Sequence, residues 1–169
     1  MNQSNKTSSI SCEHAHEDFM QRAIELSCHH LDKDSGGPFG AVITRNGEII
    51  AEGFNQVTGT HDPTAHAEIV AIRKACDRLN TFDLSGCEIY SSCEPCPMCL
   101  SAIYWARLDK IYYANSRQDA AQIGFDDEFL YQEVCRPVEK RKIPTQRLLE
   151  QQAKTAFELW QNKDDKTHY

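Results

Sequence analysis

The sequence predicts an α/β fold in which a mixed sheet carries helices on both faces, and three observations point to it. Stretches with helical apolar spacing alternate with short strand-like runs in the order α-β-β-α-β-α-β-α-α. An Asn46-Gly47 pair between two apolar runs marks a hairpin. The later strands are separated by helical stretches rather than tight turns, which makes the sheet mixed. With 169 residues, the chain is the right size for one domain with a substantial core.

Residues 1 to about 12 are rich in Asn, Ser, Thr and Lys, with Ile10 the only aliphatic, and read as a flexible tail. The folded domain is then expected over 13–169. From about Ala15 to Leu31, Phe19, Met20, Ala23, Ile24, Ser27 and Leu31 recur at helical spacing. Ser35-Gly36-Gly37-Pro38 ends that helix. Phe39 to Thr44 and Glu48 to Gly53 are the hairpin strands. A polar loop follows Asn55, and either Asp62, with Pro63 behind it, or Thr64 is expected to cap the next helix. That helix lines up Ile69, Ile72, Ala75, Cys76 and Leu79, with His66 and Glu68 in its first turn. Cys87 to Ser91 alternates as a strand. Pro97 starts a helix that continues to Ala106, and Lys110 to Ala114 is the next strand. Arg117 to Ile123 and Asp127 to Val134 read as helices about a turn at Gly124. Residues 136–144 read as irregular, and the later part of 145–162 as a helix with Leu149, Ala153, Ala156, Phe157 and Trp160 on its apolar face. The pattern leaves open a short strand within 142–149.

Composition narrows the function. Lys and Arg total 18 against 25 Asp and Glu, a net charge of −7, which argues against broad nucleic-acid binding. The apolar runs are too short to span a bilayer and no signal peptide is legible, so the expected location is the cytoplasm. In that compartment the eight cysteines point to metal rather than disulfides. Cys12, Cys28, Cys76, Cys87 and Cys135 are scattered and read as packing or incidental side chains. His14, His16 and His168 read as surface, and His29, His30 and His61 as solvated or packing residues.

The cluster that carries chemistry is Ser92-Cys93-Glu94-Pro95-Cys96-Pro97-Met98-Cys99, together with His66-Ala67-Glu68. One imidazole and two thiolates fill three of zinc's four tetrahedral positions and leave one open, as in a catalytic site. Cys96 and Cys99 share a helical turn, whereas Cys93 lies at a strand end beyond Pro95; Cys96 and Cys99 are therefore the expected ligands beside His66. Glu68 stays outside the ligand set and is placed to move protons for the attacking water. A redox Cys-x-x-C pair has no need of the upstream His-Ala-Glu. The H-x-E … P-C-x-x-C pattern is that of zinc-dependent nucleobase deaminases.

With these residues the sequence resembles the cytidine deaminase-like superfamily. Gly36-Gly37-Pro38-Phe39-Gly40-Ala41, Asp62-Pro63-Thr64-Ala65, Ala102-Ile103-Tyr104-Trp105-Ala106-Arg107 and Gly124-Phe125-Asp126-Asp127 resemble its bacterial guanine deaminase branch. The resemblance implies a five-stranded mixed sheet, one Zn2+ per chain on His66, Cys96 and Cys99, and hydrolysis of guanine to xanthine and ammonia. It implies Glu68 as proton shuttle, Asn55 and the Ala67 backbone as contacts to the purine, and Asp127 as a base contact and second shuttle. It further implies a homodimer that exchanges its carboxy-terminal segments, so that Tyr169 closes the partner's pocket. Each of three residues also has a plainer reading: Asn55 a turn, Asp127 a helix cap, Tyr169 a frayed end. The chain departs from the family in its amino-terminal extension, and matches it only loosely over 145–152. A tRNA-editing adenosine deaminase and a cytosine deaminase share the metal motif. Against the former stands the lack of a basic surface beyond Lys140-Arg141-Lys142. A zinc-stabilised scaffold without turnover would have no use for Glu68.

Overall fold

The structure is a computed structural model of the chain, and it describes residues 7–29, 31 and 35–168, with side chains from His14 onward. The chain divides into two compact units, one ending at Asp127 and the other spanning Glu128–Tyr169.

The first unit contains the sheet. β1 (Gly40–Arg45) and β2 (Glu48–Phe54) form the hairpin. Asn46 and Gly47 take φ of 53° and 79°, the positive values a two-residue turn of this hand requires. β3 (Cys87–Cys93) lies antiparallel to β1 and parallel to β4 (Lys110–Asn115), giving the order β2-β1-β3-β4. α4 (Pro97–Trp105) is the crossover between the parallel pair. The sheet is therefore mixed, with four strands among the described residues, and 142–149 carries none.

Alternation sends Ala41, Ile43 and Ile89 to one face of the sheet and Val42 and Tyr90 to the other. α1 (Thr7–Cys28) packs on Val42 and Tyr90 through Phe19, Met20, Ala23 and Leu26. α3 (Ala67–Leu79) and α4 cover the opposite face through Ala67, Ala71, Ala75 and Ile103. Gly53 permits this approach. A Cβ there would lie 2.1 Å from the Ala67 carbonyl oxygen, so only glycine lets the first turn of α3 rest on β2.

Several expectations need correcting. α1 starts at Thr7, ahead of Ala15, and stops at Cys28, short of Leu31. Ser and Thr are only mildly unfavourable in helices, so the helix extends beyond its packed part. Residues 1–6 lie outside the described residues. The loop after Asn55 contains one helical turn, α2 (Val57–Thr60), too short to show a period. Neither Asp62 nor Thr64 caps α3. Its N-cap is His66, in extended conformation, while Asp62 accepts hydrogen bonds from the Thr64 N–H at 2.8 Å and hydroxyl at 2.6 Å. His16 is half-buried rather than surface: it bonds the Tyr90 hydroxyl and packs on the Tyr112 ring at 4.8 Å. It lies one helical turn before Phe19 and Met20, on the same packed face.

One ion pair joins α1 to the hairpin. Arg22 donates to both carboxylate oxygens of Glu52, at 2.7 and 2.9 Å, and holds that carboxyl below its ordinary range. A depressed carboxylate adds stability above its unfolded pKa and loses it as pH falls through the folded one. Both side chains are about a third exposed, so Glu52→Gln should cost no more than about 1 kcal/mol at neutral pH. The gap to wild type should close in acid. Urea unfolding at the two pH values checks this; equal stability at neutral pH would show that the pair contributes nothing.

The second unit comprises α5's successors, α6 (Glu128–Cys135), a 3-10 turn at Val138–Lys140 and α7 (Glu150–Gln161), where α5 (Arg117–Gln122) closes the first unit's helices. Glu133 organises it, accepting from the Lys142 N–H at 2.8 Å and from Arg136 at 2.7 Å. The apolar face of α7 is uncovered, with Phe157 79 % exposed.

Candidate metal centre and active site

Two helix starts build the site, and each begins with a candidate ligand. His66 is the N-cap of α3, with Ala67 and Glu68 its first two helical residues. Cys96 is the N-cap of α4, Pro97 follows at the first position, and Cys99 completes the first turn. Unpaired N–H groups and the positive dipole end at such starts favour thiolates.

His66 Nδ1 lies 3.6 Å from Cys96 Sγ and 3.5 Å from Cys99 Sγ, and all three ligand atoms lie within 4.8 Å of one another. Tetrahedral zinc with Zn–S of about 2.3 Å and Zn–N of about 2.05 Å would separate nitrogen and sulfur by about 3.5 Å. The spacing fits that metal, and the donor set of one imidazole and two thiols suits it chemically.

The charges agree. Cys96 is the thiolate of the pair: its contact with Cys99 first, and then with His66, pulls its pKa down to about 4. Cys99 holds its proton through the same contact. His66 is shifted upward by its bond to Cys96. Cys93 is pushed up to about 11, first by burial and then by the nearby charge of Glu68. Its thiol faces away from the cluster, 3.6 Å from the Ser116 carbonyl.

Glu68 is 6 % exposed, and burial raises its pKa. One carboxyl oxygen accepts from Cys99 Sγ at 3.4 Å and the other from the Ser91 hydroxyl at 3.3 Å. It thus touches a ligand sulfur without belonging to the ligand set. Asn55, just past β2, is buried, and its Oδ1 accepts from the Val57 N–H at 3.1 Å. Gln56 N–H donates to the Ala65 carbonyl at 2.9 Å, placing this turn beside the residue that precedes His66. Ala67 is fully buried. Asp127 precedes α6, and its pKa is raised by burial and then by the negative charge of Cys96. Tyr169 lies outside the described residues.

Two residues escaped the sequence reading. Ser91 lies on the same face of β3 as Ile89, so a hydroxyl at a core-facing strand position was the signal. Glu94 ties the metal loop to the next element: its N–H donates to the Asn115 carbonyl at 2.8 Å, and its carboxylate accepts from the Arg117 N–H at 3.2 Å. Only its place inside the motif pointed to it.

Comparison with known proteins follows the same lines. The signature of the cytidine and deoxycytidylate deaminase zinc-binding region matches residues 13–115. Guanine deaminase of Bacillus subtilis is 51 % identical over 154 residues, covering 91 % of this chain and 99 % of that protein. The crystal structure of guanine deaminase from Bacillus subtilis superposes with a TM-score of 0.88 over 91 % of this chain and 98 % of that one, at 51 % identity. A tRNA-specific adenosine deaminase of Aquifex aeolicus is 49 % identical over 77 residues, 46 % of this chain and 51 % of that protein. Signature and zinc-spaced cluster coincide, and the chain belongs to the cytidine and deoxycytidylate deaminase zinc-binding family.

Proposed function

We propose that the protein is a zinc-dependent hydrolytic deaminase that converts guanine to xanthine and ammonia. One observation carries the choice of substrate: identity to Bacillus subtilis guanine deaminase runs through 91 % of the chain, far past the zinc region. Likeness to the Aquifex aeolicus tRNA enzyme covers 46 % of the chain.

His66 Nδ1, Cys96 Sγ and Cys99 Sγ would hold the zinc, which supplies Lewis acidity and makes a water nucleophilic near neutral pH. Net, the guanine C2–N bond breaks, a C2–O bond forms and one water is consumed. Glu68 takes the first proton from the attacking water and passes it to a ring nitrogen as C2 becomes tetrahedral. The second proton travels from the new hydroxyl to the amine, which leaves as ammonia, with Glu68 or Asp127 as carrier. Asn55 orients the base: with Oδ1 engaged by Val57, its amide nitrogen is the end suited to donate to a purine acceptor. The Ala67 backbone lines the pocket.

Ammonia release from guanine, cytosine, adenine and an adenosine-bearing RNA tests the substrate. Turnover should be dominated by guanine; dominant turnover of the RNA would replace this reading with tRNA editing.

The working form is proposed to be a homodimer, located in the cytoplasm, that exchanges carboxy-terminal segments. The support is the resemblance together with Ile143, Leu148 and Phe157, which are 77 %, 70 % and 79 % exposed in a single chain. The fifth strand of the sheet and the closing role of Tyr169 belong to that assembly. Deleting 163–169 should abolish turnover, whereas mixing this chain with a Glu68→Gln chain should restore it. Each heterodimer then has one working site, about half the wild-type activity, by counting sites about a two-fold axis. No restoration would mean that each tail serves its own chain.

A further inference from the structure

We infer that Gly36 is a positioning residue for base recognition, its missing side chain being the seat of Asn55. The inference rests on the guanine reading above, in which Asn55 contacts the purine.

A Cβ on Gly36 would lie 2.2 Å from Asn55 Oδ1, 2.5 Å from its carbonyl oxygen and 2.7 Å from its carbonyl carbon. All are far inside van der Waals contact, and two of the three atoms are backbone. Gly36 is not among the glycines with positive φ, so alanine could adopt its backbone; the obstacle is the methyl group itself.

Asn55 has little room to retreat. Its N–H donates to the Phe39 carbonyl at 3.0 Å, its Oδ1 accepts from Val57 at 3.1 Å, and Gln56 N–H donates to Ala65 at 2.9 Å. The loop carrying Gly36 is held as well, since Ser35 accepts from the Gly59 N–H at 3.0 Å. Asn55 is 4 % exposed, so its amide cannot swing into solvent. A methyl group at 36 would therefore displace the Asn55 side chain from the place its hydrogen bonds assign to it.

The neighbouring residue supplies a contrast. A Cβ on Gly37 would lie 2.9 Å from Phe125 Cζ and 2.9 Å from Phe39 Cε2. These are outer ring atoms of an edge-on pair with centroids 4.9 Å apart, and they can slide at small cost. Adjacent glycines in one loop thus differ in what they hold.

The test is a double-mutant cycle on the full-length, zinc-loaded protein, read by guanine KM and kcat, 8-azaguanine binding by calorimetry, zinc content and thermal midpoint. Wild-type turnover of guanine tests the functional reading, and the variants, compared with wild type, test the inference. Misplacing a positioning group by about 1 Å can cost about 10²-fold, so Gly36→Ala should lower kcat/KM by that order, mainly through KM, and weaken 8-azaguanine binding in step. Zinc content should stay at the wild-type level. In an Asn55→Ala background the same change should cost less than about threefold in kcat/KM, because the amide whose place it disturbs is gone; the backbone contacts at residue 55 remain, so the thermal midpoint should fall in both backgrounds. Gly37→Ala should also cost less than about threefold. An equal loss from Gly36→Ala in both backgrounds, an unchanged KM, or loss of zinc alongside activity would each overturn the inference.

Discussion

Glu68→Gln should fold, bind zinc and lose turnover by about 10²–10⁴-fold or more, the range over which a positioned acid–base group acts. The exchange is close to isosteric and removes only the ability to hold and release a proton. Glu68 is the second residue of α3 and is almost fully buried, so no water can substitute for it freely. Its carboxyl reaches Cys99 Sγ at 3.4 Å, which places it beside the metal position, and Ser91 holds the other oxygen at 3.3 Å. An amide can keep the Ser91 contact, because its carbonyl still accepts. Fold and zinc should therefore survive while two proton transfers lose their carrier. The measurements are steady-state turnover with guanine, zinc by elemental analysis and the thermal midpoint. Near-normal turnover would remove Glu68 from the mechanism. Loss of zinc would make it part of the ligand system instead.

The site was more legible than the frame around it. His66, Cys96 and Cys99 could be found because metal chemistry admits few residue types, and helical spacing puts two of them on one turn. The strands read well because Asn46-Gly47 has few other uses and β3 alternates. Helix boundaries were poorly legible: Thr7 to Ser11, with Ile10 their single apolar residue, carry no apolar period, yet they continue α1. Asp62 and Thr64 are good caps and so draw the expected start of α3, but Asp62 spends its carboxylate on Thr64 and the helix begins after His66. His16 shows the same limit: a histidine gives no sign of its partners until α1 is laid against Tyr90 and Tyr112. Ser91 and Gly36 act through contacts between segments far apart in sequence, which no local pattern encodes. In the segment 128–169, the apolar residues of α7 are plain in the sequence, but Phe157 and Leu159 are 79 % and 70 % exposed in a single chain, so their spacing marks the helix without marking a core.

Cys96→Ser should lose zinc, and Cys93→Ser should keep it. Both residues satisfy a Cys-x-x-Cys spacing, Cys93 with Cys96 and Cys96 with Cys99, so spacing alone does not separate them. Position and charge do. Cys96 is the N-cap of α4, with its sulfur 3.6 Å from His66 Nδ1 and its pKa pulled down to about 4. It is a thiolate at neutral pH and can bind metal without first giving up a proton. Cys93 ends β3, points to the Ser116 carbonyl and has its pKa pushed up to about 11. A serine at 96 offers a neutral hydroxyl where a soft anion is needed. Removing an outer hydrogen-bonding partner costs about 10–100-fold in metal affinity, and losing a direct ligand should cost more. A serine at 93 can still donate to Ser116 and leaves the cluster untouched. Zinc should therefore stay near one per chain in Cys93→Ser, with turnover close to wild type. Cys96→Ser should also melt earlier, since a metal that binds only the folded chain stabilises it and that contribution disappears. Elemental analysis after dialysis against a mild chelator, paired with thermal melts, separates the two. Zinc released by Cys93→Ser and retained by Cys96→Ser would reassign the ligand set to a Cys93-centred arrangement and leave Glu68 without its partner at Cys99.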